Sequence, residues 1–264
     1  MSERQIQIEC RDGRLLAVTT RSRLRSARFF PAMLLATWAI RRQLARTDGL
    51  VRWASLVAGP TEFWTITVWR SRHAMQEFMR SDAHGRIMWR YTRWLDALWL
   101  MRWRPGAVEV GSWTGVTFAP APPAQVRSAR PAPDASSRHG RRPRERVEGA
   151  GATVIRIRAP ALQTATVLVQ LLRLRRRLAT DPDLLRSVVG LGCPGEACFL
   201  GIWRAGDRAA GLVDDEWVRR TARRWAGSFW AGQWLPEHEF GHWDGLRLRR
   251  RLRRGAPDQP PAAD

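Results

Sequence analysis

The chain has 264 residues, 44% of them hydrophobic and 26% charged, which leaves room for one large domain or two ordinary ones with packed cores. Its formal net charge is +21, and all 45 basic residues are arginine. Three cysteines without regular spacing exclude a disulfide framework, and the longest apolar run, FFPAMLLATWAI from Phe29 to Ile40, is too short to span a bilayer. The polar start, MSERQIQIECRDGR, has no signal-peptide pattern, so a cytoplasmic location is expected.

In chain order, Leu15–Thr20 reads as a strand. A helix is expected over Phe29–Arg46, with Pro31 tolerable only in its first turn. Leu50–Ala58 is a second strand, and Gly59-Pro60 turns the chain into a third, Glu62–Trp69. Ser71 is placed to cap a short helix running to Met79, and Ala83–Leu95 reads as a further helical piece. Val108–Trp113 closes the unit in extended form. Residues 119–150, rich in Pro, Ala, Ser and Arg and without hydrophobic period, read as a linker. The pattern then returns: strands over Ala152–Arg158, Leu184–Gly190, Cys198–Trp203 and Glu239–Trp243, with helices over Ala165–Ala179 and Glu216–Trp230.

The return is visible in the residues themselves. Arg41–Arg70 lies over Arg175–Arg204 at an offset of 134 with ten of thirty positions identical, and EVGSWTG matches EFGHWDG further on. The period exceeds that of a solenoid unit and fits a duplicated small domain. Strand, helix, strand, strand, helix, strand is the split βαβ, ferredoxin-like order. FWTITVW and CFLGIW are apolar on both faces, so they need cover on both sides. The expected fold is therefore α+β: tandem ferredoxin-like (βαββαβ) repeats, residues 1–118 and 151–246, forming a pseudo-dimeric α/β barrel, followed by a basic tail, 247–264.

FWTITVWRSRHAMQEFMRSDAHGR, then GSWTG and GHWDG with a proline-rich linker between the repeats, resembles the dimeric α/β-barrel superfamily. Within it, the layout is closest to the spheroidene monooxygenase-like and antibiotic biosynthesis monooxygenase-like proteins. The resemblance implies a monooxygenase-like enzyme oxidising a hydrophobic, terpenoid- or carotenoid-type small molecule. It also implies a haem iron ligand or catalytic base at His84, reaching into the barrel mouth, with Arg90 or the Arg41/Arg42 pair meeting a propionate. The second repeat carries DDEWVRRTARRW, with Trp217 where His84 falls in the first.

His84 has a plainer reading, as a helix-junction residue bonded to a carbonyl. Of the other histidines, His139 lies in the linker, His73 at a helix start, and His238 and His242 flank the last strand. The crowded tryptophans also carry two readings: filler that both repeats need, or walls of a substrate pocket lined by Trp64, Trp69, Met88, Trp203 and Trp217. A barrel that binds haem or a small ligand without turnover is the alternative function. LRLRRRLRR (Leu246–Arg254) suits an anionic membrane surface or a nucleic-acid backbone. Charge lying in the chain's ends rather than on one groove-facing element argues against nucleic acid.

Overall fold

The structure, a computed structural model, describes residues 6–7, 15–118, 149–192, 195–225, 228–246 and 248. The side chains of residues 82, 83, 86, 87 and 90 lie outside that description, as does nearly all of the expected linker and the tail beyond Leu248. In chain order the elements are β1 (Ile6–Gln7), β2 (Leu16–Leu24), α1 (Phe30–Leu44), β3 (Leu50–Gly59), β4 (Glu62–Trp69), α2 (Arg72–Arg80), α3 (Asp82–Thr92), β5 (Leu95–Gly111) and β6 (Val116–Thr117). The second repeat gives β7 (Gly151–Arg158), α4 (Ala161–Leu178), β8 (Leu184–Gly192), β9 (Glu196–Trp203), α5 (Gly206–Val213), α6 (Glu216–Arg224) and β10 (Phe229–Gly241). Pro31 falls in the first turn of α1, and the Ser71 hydroxyl caps α2 by accepting from the Ala74 N–H at 3.2 Å.

Eight strands close into one barrel in the order β10-β5-β2-β4-β3-β8-β9-β7, with β7 returning to β10. Each repeat supplies four strands and backs them with its own helices. The fold is thus the tandem ferredoxin-like α/β barrel. The two seams between repeats are unequal. β5 and β10 pair along their length, while β3 and β8 meet only at Leu56–Gly192 and Val57–Leu191.

Four expected boundaries differ in the structure. The helix written over Ala83–Leu95 stops at Thr92, and the one over Glu216–Trp230 stops at Arg224; long strands follow both. β5 takes in 17 residues where only Val108–Trp113 was expected. The last strand likewise begins at Phe229, not Glu239. Trp99, Met101 and Trp103 alternate into the barrel, but Leu98 and Leu100 beside them are apolar too and pack on the helix side, so period 2 is hidden. Pro105 and Pro236 are residues that usually interrupt strands. Both stand at register shifts between β5 and β10, where a missing N–H is tolerated.

The barrel interior is solid. Trp64, Trp99, Trp103, Trp230 and Trp234 fill it together with Met101, Ile66, Val154 and Leu200. The Gly-x-Trp-x-Gly motifs plug it. In each, three positions have positive φ: Gly111, Thr114 and Gly115, then Gly241, Asp244 and Gly245. The turns swing Trp113 and Trp243 inward, bridged to Val116 and Leu246. Each plug is tied to the other repeat. Trp99 Nε1 donates to Glu239 at 2.7 Å, and Trp230 Nε1 donates to Glu109. The same carboxylates accept from the Leu248 and Phe118 N–H groups, each at 2.8 Å. Leu248, assigned to the tail from sequence, is therefore part of the core.

Buried arginines complete the pseudo-two-fold. Arg21 pairs with Glu62 at 2.9 Å and with Asp244 of the other repeat at 3.1 Å, its guanidinium 5.6 Å from the Trp243 ring. Arg156 pairs with Glu196 and lies 5.2 Å from Trp113. Because both repeats share one interior, Trp99→Ala and Trp230→Ala should each cost about 3–5 kcal/mol. Each variant should still unfold in a single urea transition when followed by far-UV and near-UV circular dichroism. Two separated transitions would mean that the repeats are independent units.

Candidate functional site

With the interior filled, open space lies elsewhere. A cavity of about 570 Å³ sits between the outer face of the first repeat's strands and the layer made by α1, α2 and α3. Its floor includes Val18, Thr20 and Ser22 of β2, Phe63, Thr65 and Thr67 of β4, and Leu100 and Arg102 of β5. The roof includes Met33, Thr37, Phe78, His84, Met88 and Tyr91.

Why the first repeat is hollow follows from comparing it with the second, position by position through the strand registers. Thr20, Ser22, Ser55 and Thr65 stand where Ile155, Ile157, Val189 and Phe199 stand in the second repeat. In the helices, Thr37 replaces Leu171 and His84 replaces Val218. The second-repeat residues form one buried cluster with Val167, Leu174 and Trp203. The fold is the same twice, but hydroxyls have replaced bulky apolar groups on one side only. The helix layer also differs, with Met75, Phe78 and Met79 in place of Ala209, Leu212 and Val213. Longer side chains hold that wall, so the space is not simply closed by collapse.

His84 is buried, 8% exposed, and neither ring nitrogen has a hydrogen-bond partner among the described residues. Its ring lies 4.6 Å from that of Phe78. Ser81 fixes the approach: its hydroxyl accepts from Gln43 at 2.7 Å and from the His84 backbone N–H at 3.4 Å. Burial lowers the His84 pKa below the usual histidine value, which keeps the imidazole neutral at pH 7. Tyr91, bonded to Thr37, is pushed up to about 12 by burial and is a neutral phenol. Arg102 has a buried Nε with no partner among the described residues. Burial lowers its pKa, and the nearby Glu237 opposes that shift. A buried polar atom without a partner is costly, and His84, Arg102 and Ser55 all carry one on this wall.

His84 therefore faces a cavity outside the barrel, and not the barrel mouth. Trp69 and Met88 line the same cavity, and Trp64 borders it with its ring packed inward against Trp99 and Trp243. Trp203 and Trp217 lie in the second repeat's helix–sheet layer, away from it. Element registers put Val218, one residue beyond Trp217, opposite His84. The Arg90 side chain lies outside the described residues, while Arg41 lines the cavity 5.0 Å from the Trp53 ring. His238 also lines it, which sequence reading did not anticipate. His73 is a surface residue 3.2 Å from Glu77, and His242 accepts from Gly245 in the second plug. The hydroxyl floor and Arg102 were missed as well. Extending the 134-residue alignment through every strand would have exposed them as the places where the repeats disagree in size and polarity.

No family model and no curated protein matches the chain. Similar solved structures include a protein of Lactobacillus acidophilus NCFM named as a monooxygenase, 8% identical, covering 86% of this chain and 96% of that one, with a TM-score of 0.34. Another so named, from Fusobacterium nucleatum subsp. nucleatum ATCC 25586, is 5% identical over 87% and 95%, at 0.37. An antibiotic biosynthesis monooxygenase is 12% identical over 33% of this chain and 94% of its own, at 0.32. These superpositions score below 0.5, and the fold is given instead by the strand order and helix placement above. Among the described residues no group of three or more metal-ligating side chains occurs, and no helix is long and apolar enough to cross a membrane.

Giving the first repeat the second repeat's residues should fill the cavity. Thr20→Ile with Thr65→Phe should weaken binding of an apolar fluorophore at least about tenfold while leaving the circular dichroism unchanged; undiminished binding would place the ligand elsewhere. A pH series reads His84. Its folded pKa lies below the unfolded value of about 6.5, so the unfolded chain takes the proton first. This contribution to stability is present above about pH 6.5 and declines as pH falls below it. Wild type should lose more urea stability than His84→Val between pH 7.5 and 5.5; equal losses would mean that His84 is not desolvated.

Proposed function

We propose that the first-repeat cavity binds an apolar small molecule of terpenoid or carotenoid type and that the protein oxidises it in a monooxygenase-like reaction. The observation carrying this reading is a buried, neutral histidine with both nitrogens unpartnered on the wall of a mostly apolar cavity of about 570 Å³. That volume lies within the range of small-molecule sites. The apolar walls would bind and exclude water. The hydroxyl floor and Arg102 would orient one polar end of the ligand, and a neutral imidazole could accept a proton from an acidified C–H or O–H of the substrate.

In the simplest balanced form, a substrate CH2 becomes C=O. One oxygen atom of O2 enters the product and the other leaves as water, with the substrate supplying the electrons. Haem also fits the donor set. His84 would hold the iron and Arg102 or Arg41 a propionate, and the group would supply oxygen activation.

The test is incubation of the purified protein with terpenoid and carotenoid mixtures under 18O2, with and without added haem. One labelled oxygen per product is expected, and His84→Ala should slow its formation about a hundredfold. A ligand retained without label in either condition would make the protein a binding barrel and remove turnover.

A further inference from the structure

We infer that the outer face of α1 is a docking surface for an anionic lipid bilayer and that it delivers ligand to the cavity. The face is apolar where a monomer's surface helix should be polar. Leu34, Leu35 and Trp38 are 42%, 71% and 54% exposed at helical spacing, and Pro31 and Ala39 are exposed with them. Trp89 of α3 and Met79 of α2 add further exposed apolar area on the same helical layer. Arginines frame it. The Arg42 guanidinium lies 3.7 Å from the Trp38 ring centroid, and Arg28 lies 4.8 Å from that of Phe29. Arg46 is exposed one turn beyond Arg42.

The charge pattern selects the occupant. From Ala27 to Thr47, the stretch that carries α1, the sequence holds four arginines and no acid. A second copy of the chain would set one arginine-rich helix against another. An anionic headgroup layer instead complements it, with tryptophan and leucine reaching the acyl boundary and arginine staying among the headgroups. Leu34 and Trp38 also line the cavity, so the patch and the cavity are continuous. A lipid-dissolved molecule could pass between Leu34 and Trp38 without crossing bulk water.

Helix α4 provides an internal comparison. It exposes Leu162, Val169 and Leu172, the last two near Arg173 and Arg176, but it carries no aromatic residue and the sheet beneath it is packed with apolar side chains. The delivery role rests on the cavity being a ligand site, whereas bilayer binding does not.

Co-sedimentation of the full-length protein with phosphatidylglycerol/phosphatidylcholine vesicles, against phosphatidylcholine alone, tests the surface. Wild type should sediment with the anionic vesicles only. Leu35→Glu with Arg42→Glu should lower partitioning about a hundredfold. Val169→Glu with Arg176→Glu should stay within about threefold of wild type, as should a variant in which Arg249, Arg250, Arg251, Arg253 and Arg254 all become Gln. Circular dichroism and binding of an apolar fluorophore confirm that the α1 variant keeps its fold and cavity, which separates loss of docking from loss of the ligand site. The inference is overturned if the α1 variant still binds, if wild type binds neutral vesicles equally or none at all, or if the tail variant alone abolishes binding. It also falls if the α1 substitutions dissociate a dimer in sedimentation velocity, since that face would then join two copies.

Discussion

A closed eight-stranded barrel of this kind has two places for open space: inside the strands, or between strands and helices. The interior is taken. Tryptophans from β4, β5 and β10 meet at its centre, and Trp113 and Trp243 plug it from the repeat ends. The indole N–H groups of Trp99 and Trp230 are satisfied across the repeat boundary by Glu239 and Glu109, and those of Trp64 and Trp103 by Glu62 and Thr19 within the first repeat. The buried arginines Arg21 and Arg156 are compensated by carboxylates and stacked near the plug rings. Dense packing of this sort does not yield to a ligand without loss of stability. Everything proposed about function follows from that constraint, because it confines a ligand to the helix–sheet layer.

The duplication then makes an internal experiment. Both layers have the same order of strands and helices, so the difference between them does not come from topology. It comes from a handful of side chains: Thr for Ile at 20, Thr for Phe at 65, Ser for Val at 55, His for Val at 84. Each replacement lowers volume or adds a polar atom on one side only. A structural requirement would act on both copies alike. A side chain that costs desolvation in one copy and is absent from the other is better explained by something it binds than by something it supports.

Much of this was legible in the residues. The 134-residue offset, the split βαβ order and the paired Gly-x-Trp-x-Gly endings gave the barrel, because repeated turn chemistry and apolar runs report local geometry. β5 and β10 were not legible, since apolar residues on both faces hide alternation and Pro105 and Pro236 mimic strand breakers. His84 stood out as a lone histidine, but its direction did not. The same residue on α3 could have faced the barrel mouth, the solvent or the sheet, and only packing of α1 through α3 over β2, β4 and β5 decides among them. Trp203 shows the converse: it matches Trp69 in sequence and in register, yet one borders a cavity and the other closes a core. Neighbours across the sheet, far apart in sequence, make that difference.

The most direct measurement of this account is a crystal of the protein pressurised with xenon, which occupies apolar space without regard to ligand identity. Xenon density in the first repeat, between the β4 floor and the α1–α3 roof and beside His84, with none in the barrel interior or under α4, is the predicted result. Xenon within the barrel, or in both helix–sheet layers equally, would show that the two repeats are not differently packed and would contradict the account.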